Sequence, residues 1–375
     1  MTTLSPQRFR LLSILLLPAL IYCVLGTAPL FATDYFLTIG GGYNRTGNQA
    51  SLEANVVFFQ QVLGEKHHGP RRHEIFFADG HDPAADLQVL AEKPAKSDSP
   101  ATDLLASLHR RRGQVNVAYR NHRVAEIAGA LDPKLIRENL EALAKAAQNG
   151  DRLIVYVTAH GSEGAKEDPF NTTIDCWNER KITAREFTEW LSRLPSEVPV
   201  VMVMAQCYCG GFGHTIFNGL DQAKGLAPQM RAGFFAQRHD LPAAGCRPDI
   251  EHDEEFSSYF WGALAGRSRS GVPIEGTDVD GNGVISFAEA YAYAVIAGET
   301  IDIPLRTSDV LLRTYSRLAA DKTEEAAGNA EKSIMSGTLQ SFVDRGRPVS
   351  GRVVTQLGKT LGFTLQDEVT TILTA

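Results

Sequence analysis

Several easy assignments are closed by what the sequence does not contain. Lys and Arg number 37 against 44 Asp and Glu, a formal net charge of -7. No basic stripe breaks that balance, which argues against a nucleic-acid partner. The tightest cationic run, His109-Arg110-Arg111-Arg112, reads as a solvated loop. There are no internal repeats, so a solenoid or propeller is excluded. His67-His68 and His73 have no acidic or thiol companion and read as a solvated turn, not a metal site. No apolar run has the roughly 20 residues of a spanning helix. The stretch from Leu11 to Leu25 is shorter and is interrupted by Pro18.

That stretch follows Arg8 and Arg10, and Leu30-Phe31-Ala32 then offers a small residue before a cut. The pattern is that of a cleaved secretory signal over residues 1–32. It predicts a secreted or periplasmic protein with no stable membrane insertion once the signal is removed. Tyr22 before Cys23 is a poor lipoprotein cleavage site. Removing Cys23 leaves Cys176, Cys207, Cys209 and Cys246. An oxidising compartment permits bridges, but if Cys207 stays free the other three allow one bridge at most, with the pairing open.

With 375 residues, 43% hydrophobic and 22% charged, the chain is ordinary for a globular protein with a substantial core. Tyr35–Ile39 reads as a first strand ending at Gly40-Gly41-Gly42, and Ser51 as the cap of a helix carrying Leu52, Val56, Phe59 and Val62. Glu74–Ala78 is a second strand. Residues 80–120 are polar and aperiodic and read as a surface insertion. Asp132-Pro133 opens a helix with Leu135, Leu140 and Leu143 as its expected buried face, and Gly150 follows it. Thr183 and Glu186 form a capping box. Strand–helix alternation predicts an α/β fold: a mainly parallel sheet with helices on both faces. Residues 33–312 form the expected main domain, and residues 313–375 a helical extension that includes Val353 to Leu361.

Two β-branched runs stop at residues able to do acyl-transfer chemistry. Leu153–Ala159 ends at His160-Gly161, and Val198–Met204 runs through Ala205-Gln206 into Cys207-Tyr208-Cys209-Gly210-Gly211. Reactive groups of open α/β sheets collect beyond the carboxyl ends of the strands. Neighbouring strands would therefore deliver an imidazole and a thiol to one rim. A thiol attacks as thiolate and needs a proton acceptor, which His supplies near neutral pH.

The two strand-end motifs, His160-Gly161 and Ala205-Gln206-Cys207-Tyr208-Cys209-Gly210, resemble the caspase–legumain–metacaspase superfamily of cysteine peptidases, nearest its legumain-like branch. The resemblance implies a caspase-haemoglobinase-like fold, Cys207 as nucleophile and His160 as general base and acid. It also implies an oxyanion hole from the amides of Gly161 and Cys207. The substrate pocket would be shaped by Asn44–Gln49 and His239–Cys246, with Arg45, Asn48, Ala205 and Asp240 as candidate lining residues. The chain departs from the family at Ala205, where a Glu, Gln or Asp is usual, and at Cys209, where Ser is frequent. It departs again at Gly47-Asn48, where legumains carry Arg-His before the Gln-Ala pair.

A separate motif runs from Asp278 to Glu289, Asp-Val-Asp-Gly-Asn-Gly-Val-Ile-Ser-Phe-Ala-Glu. It matches the twelve-residue EF-hand loop, with oxygens expected from Asp278, Asp280, Asn282, Val284 (its carbonyl), Ser286 and Glu289. Gly271, Pro273 and Gly276 preclude a regular entering helix, so a structural calcium ion is expected rather than a switch. No organic cofactor is expected. The reading is a secreted cysteine endopeptidase acting on peptide or protein substrates. The alternatives are a transpeptidase or ligase using the same acyl-enzyme, and a catalytically silent, calcium-stabilised binding protein.

Overall fold

The computed structural model describes residues 32–91, 117–246, 255–315 and 337–372, with positions 101 and 104. Residues 1–31 of the expected signal, the His109–Arg112 run and much of the polar insertion lie outside the described residues. Strand β1 (Asp34–Gly41) leads into α1 (Ala50–Lys66) and β2 (Arg71–Phe77). Next come β3 (Leu87–Leu90), β4 (Val117–Arg120), α2 (Pro133–Ala146) and β5 (Arg152–Ala159). A short pair, β6 (Thr173–Cys176) and β7 (Arg180–Thr183), precedes α3 (Ala184–Leu191) and β8 (Val200–Met204). Beyond β8 lie the 3₁₀ segment Cys209–Ile216, β9 (Arg231–Phe235), α4 (Phe256–Ala265), α5 (Phe287–Ala297), β10 (Leu305–Arg306) and α6 (Thr307–Tyr315). The last described elements are α7 (Leu339–Arg345), α8 (Pro348–Thr360) and α9 (Val369–Ile372).

The main sheet runs β10-β9-β8-β5-β1-β2. All its pairs are parallel except β10 with β9, so the α/β expectation holds. β1 is buried along its whole length, and β5 along all but its first residue. Strands buried on both sides need a helical layer on each face. Phe59 of α1, Tyr156 of β5 and Trp261 of α4 form one aromatic cluster, and the Tyr156 hydroxyl meets Ser257 Oγ at 2.6 Å. On α3, Phe187 packs edge-on against Phe212 of the 3₁₀ segment.

The chain passes from β1 outward to β2, then returns to place β5 on the other side of β1. The loops leaving β1 and β5 therefore part at the carboxyl rim. Ligand crevices form at such a switch point.

Several local expectations change. Helix α1 starts two residues early, with Gln49 at the cap and no side-chain capping bond. Ser51 lies inside the helix and is buried, because the Leu52 amide already bonds to the Gln49 carbonyl. Asp132 does cap α2, but Leu135 faces outward while Ile136, Leu140 and Leu143 are buried. The 136-140-143 spacing is the helical stripe, and residue 135 falls off it. The polar stretch 80–120 is not all loop. It contains β3 and ends in β4, an antiparallel pair held to α1 by an ion pair between Arg120 and Glu53. His73 is not in a solvated turn; it hydrogen-bonds to Thr38 Oγ1 at 2.8 Å, and burial pushes its pKa down to about 4.

Candidate active site

Register places the two reactive side chains at one level. Val157 of β5 pairs with Met204 of β8, and His160 and Cys207 each follow three positions later. The strand-end segments touch: a Cβ added to Gly161 would fall 2.3 Å from the Cys207 carbonyl oxygen and 2.7 Å from that of Thr173. Only glycine allows this approach. Among the described residues, neither the Gly161 nor the Cys207 amide donates a hydrogen bond to another residue. Both amides thus lie on adjoining backbone beside the thiol.

The imidazole is fixed by the loop after β1. His160 Nε2 lies 2.7 Å from the Gly47 carbonyl oxygen and 2.9 Å from Gln49 Oε1. A carbonyl only accepts, so Nε2 carries the proton and Nδ1 keeps its lone pair. Gln49 donates its own amide to the Thr46 carbonyl, which keeps its oxygen toward the ring. Tyr43 meets the imidazole edge-on, with centroids 5.0 Å apart. Burial lowers the His160 pKa, while the Gly47 carbonyl and the charge of Asp175 pull it back up. Asp175 is set by β6: its amide donates to the His160 carbonyl at 2.9 Å, and its carboxylate accepts from Ser162 and Thr173 hydroxyls. A cavity of about 410 Å³ opens here, lined by Tyr43, His160, Gly161, Ser162, Asp175 and their neighbours.

Cys207 stands at the start of a sharp turn, since Tyr208 adopts a left-handed φ of 60°. The Ala243 amide donates to Sγ at 3.3 Å, and the Tyr208 amide bonds to the Leu241 carbonyl, so residues 237–246 lie over the thiol. Burial raises its pKa, the Ala243 amide opposes this, and the charges of Asp302 and Asp175 add to the rise. The thiol meets the Ala243 backbone, and no hydrogen bond joins it to His160. Cys209 is a different kind of thiol. It is fully buried, bonded both ways to the Gln237 backbone, and burial drives its pKa far up. The four described cysteines are all unpaired.

The candidate pocket residues take varied places. Ala205 is buried two positions before Cys207. Arg45 is exposed and stacks over the Tyr119 ring at 4.0 Å. The buried Asn48 faces inward, accepting from the Gly42 amide at 3.0 Å and donating to Asp86, so it shapes the β1 loop and presents no side chain to a ligand. Asp240 is exposed and paired with Arg238 at 2.6 Å. Asp175 and Asp302 are site residues that sequence patterning did not single out, and Gln49 entered only as the end of the Asn44–Gln49 segment. The alternation in Thr-Ile-Asp-Cys and Arg-Lys-Ile-Thr around residues 177–179 was the available signal for the β6–β7 pair.

In the EF-hand-like loop, carboxylate oxygens of Asp278, Asp280 and Glu289 lie within 4.8 Å of one another. Gly281 and Gly283 have φ of 71° and 80°, and Asp278 accepts from the amides of Gly281, Asn282 and Gly283. Glu289 forms a capping box with Ser286 at the start of α5. Val284 turns its side chain outward, leaving its carbonyl as the group it could offer. These residues fit a hard cation with oxygen ligands. The loop borders a cavity that also touches Asp34 and Arg152, at the beginnings of β1 and β5. His160 follows the other end of β5, roughly 25 Å away at the strand's rise per residue.

No family model matches the chain, and no curated protein matches it. Among solved structures it is similar to a structural-genomics protein from Geobacter sulfurreducens, at 11% identity and a TM-score of 0.36, covering 73% of this chain and 92% of that one. It is also similar to an inactive zymogen C11 protease from Parabacteroides distasonis, at 11% identity and a TM-score of 0.32, covering 88% of this chain and 83% of that one. The functional reading therefore rests on the residues of the site itself.

Proposed function

We propose that this chain is a secreted or periplasmic cysteine endopeptidase with Cys207 as nucleophile and His160 as general base and acid. The observation that carries the reading is the fixed tautomer of His160, whose Nε2 proton is committed to Gly47 and Gln49 on the rim shared with Cys207. Nδ1 takes the Sγ proton as sulfur attacks the peptide carbonyl carbon. The Gly161 and Cys207 amides receive the oxyanion. The tetrahedral adduct collapses to a thioester as the C–N bond breaks and Nδ1–H protonates the leaving amine. Water, deprotonated by Nδ1, then attacks the thioester, releasing the acid and restoring the thiol. An amine in place of water would give the transpeptidase or ligase outcome. A peptide panel varied at the residue before the cut tests this. Release of a new carboxyl terminus by the wild type, absent in Cys207→Ala, supports it.

The silent-scaffold reading draws on one observation, the Ala243 amide seated on the thiol. Complete inertness of the wild type on every peptide would favour it.

Two further parts belong to the same proposal. A calcium ion held by Asp278, Asp280, Asn282, the Val284 carbonyl, Ser286 and Glu289 would neutralise the converging carboxylates and staple the start of α5, far from the thiol. Export with cleavage before Thr33 is supported by Asp151, whose Oδ1 accepts from the Thr33 nitrogen at 2.7 Å. A cut there sets the new ammonium on a carboxylate already in place. Among the described residues no helix is long and apolar enough to cross a membrane.

A further inference from the structure

The cavity bordered by the EF-hand-like loop lies at the amino ends of β1, β5 and β8, the opposite end of the sheet from His160 and Cys207. It measures about 690 Å³, a size that suits a small organic ligand. Its walls are largely hydrocarbon. Phe36 and Ile154 come from the sheet, Val62 and Leu63 from α1, and Leu264 from α4. Val201, Leu264 and Phe287 are only partly buried, and Val284 is exposed, so apolar surface is left uncovered around the opening. The wall from Gly283 to Phe287 is fixed in advance. The Gly283 amide donates to Asp278, the Val284 amide to Asn282, and Ser286 shares a capping box with Glu289.

The backbone beneath these side chains is already committed. β1 pairs with β2 and β5, and β5 with β1 and β8. A peptide laid into the cavity would bring an amide with every residue and find no strand edge to bond it. An unbranched hydrocarbon chain brings no such groups.

The charged residues of the lining are gathered on one side. Asp34 uses both oxygens there: Oδ1 accepts from Arg152 Nε, and Oδ2 from Arg152 Nη2 at 2.8 Å and His67 Nε2 at 2.6 Å. That leaves His67 Nδ1 buried with no partner. Lys66, next in the chain to His67, is exposed, and its ammonium has no ion-pair or hydrogen-bond partner among the described residues. Asp34 is the one acid among the described lining residues, against Lys66 and Arg152. The surplus is a single positive charge beside an apolar hollow, which complements a monoanionic head on a hydrocarbon body.

We propose that this cavity binds a long-chain fatty acid, with its carboxylate on Lys66 beside His67 and its chain along Phe36, Leu63, Ile154 and Leu264. The site is remote from the thiol and stands independently of the peptidase reading.

The experiment is calorimetric titration of the purified protein with laurate, decanoate, 1-dodecanol and dodecylammonium, each below its micelle concentration. Laurate should bind once per chain, about 15-fold more tightly than decanoate, because each buried methylene is worth about fourfold. Dodecylammonium should bind at least about tenfold more weakly than laurate. Lys66→Gln should weaken laurate about fivefold and leave dodecanol unchanged. Leu264→Trp, which fills the hollow with an indole, should abolish binding of both, with circular dichroism establishing that it folds. Val284→Glu, at an exposed position, gives a second variant that keeps the fold and should weaken laurate about tenfold. Absence of laurate binding overturns the inference. So does equal affinity for dodecylammonium, or several laurates per chain, either of which is adsorption of a surfactant. Laurate binding unchanged in Lys66→Gln, Leu264→Trp and Val284→Glu places the ligand elsewhere and overturns the site. An acetylated Phe-Leu-Leu peptide that binds more tightly than laurate overturns the fatty-acid assignment. Binding with the expected dependences in a wild type inert to every peptide supports the site and counts only against the peptidase reading.

Discussion

His160 Nε2 stands 2.7 Å from the carbonyl oxygen of Gly47, so the loop after β1 decides which nitrogen of the ring can accept a proton. The base must be neutral to act, and burial holds the His160 pKa below its ordinary 6.5. The acid limb of kcat/KM should therefore have its midpoint below pH 6.5, with activity rising as pH increases through it. Asp175 raises the His160 pKa, so Asp175→Asn should move the limb to still lower pH. A limb that stays put, or moves upward, would remove Asp175 from the electrostatics of the site.

Gly161 tests the oxyanion hole. A methyl group there meets two carbonyl oxygens at 2.3 and 2.7 Å, and the backbone must shift away from Cys207. Gly161→Ala should lower kcat by about 10²–10³-fold, the cost of losing an oxyanion donor. Circular dichroism would establish that the variant folds. Near-wild-type turnover in Gly161→Ala would place the oxyanion elsewhere.

An acid pair under the β1 loop, Asp79 half-buried and Asp86 buried, predicts a pH dependence of stability. Burial and the neighbouring charges of Asp86 and Asp82 raise the Asp79 pKa from 3.8 to about 7. Asp86 in turn accepts from Asn48, next to the Gly47 that orients His160. Between those pH values the folded state binds more protons than the unfolded chain, so stability falls as pH rises. The fall is complete once pH passes the folded value. Denaturant midpoints should drop between pH 5 and 8, and Asp79→Asn should flatten that slope. An unchanged slope in the variant would show that Asp79 is not the titrating group.

The loop from Asp278 to Glu289 should bind one calcium ion and stabilise the fold without setting the chemistry. A ligand specific to the folded state adds about 2.7 kcal/mol at a hundredfold excess over its dissociation constant. Chelation should then lower the melting temperature by several degrees, and Glu289→Gln should remove most of that sensitivity. Reversible loss of turnover on chelation, at a temperature where the fold is intact, would make the ion a switch instead.

The parallel sheet and the level of His160 with Cys207 were legible in the sequence because each depends on a short apolar run with a sharp end. β5 and β8 announce themselves by β-branched content, and their register fixes the rest. What was not legible depends on long-range polar contacts. Asn48 is a plausible pocket residue by position, but it turns inward because Asp86 and the Gly42 amide need it. Asp302 lies almost a hundred residues from Cys207 in a segment with no pattern, and among the described residues Gln237 and Ala244 bring it near. The β6–β7 pair escaped notice because four-residue strands are too short for alternation to stand out. Leu135 and Ile136 differ by one helical step, which composition cannot rank.

The most direct test of the account is which thiol forms the acyl-enzyme. Wild type, Cys207→Ala, Cys209→Ser and His160→Ala should be assayed on the same peptide panel, with intact-mass analysis of the trapped thioester. The expected result is hydrolysis and acylation in the wild type, most of both in Cys209→Ser, and neither in Cys207→Ala or His160→Ala. Acylation that survives Cys207→Ala and vanishes in Cys209→Ser would contradict it, assigning the chemistry to the buried thiol.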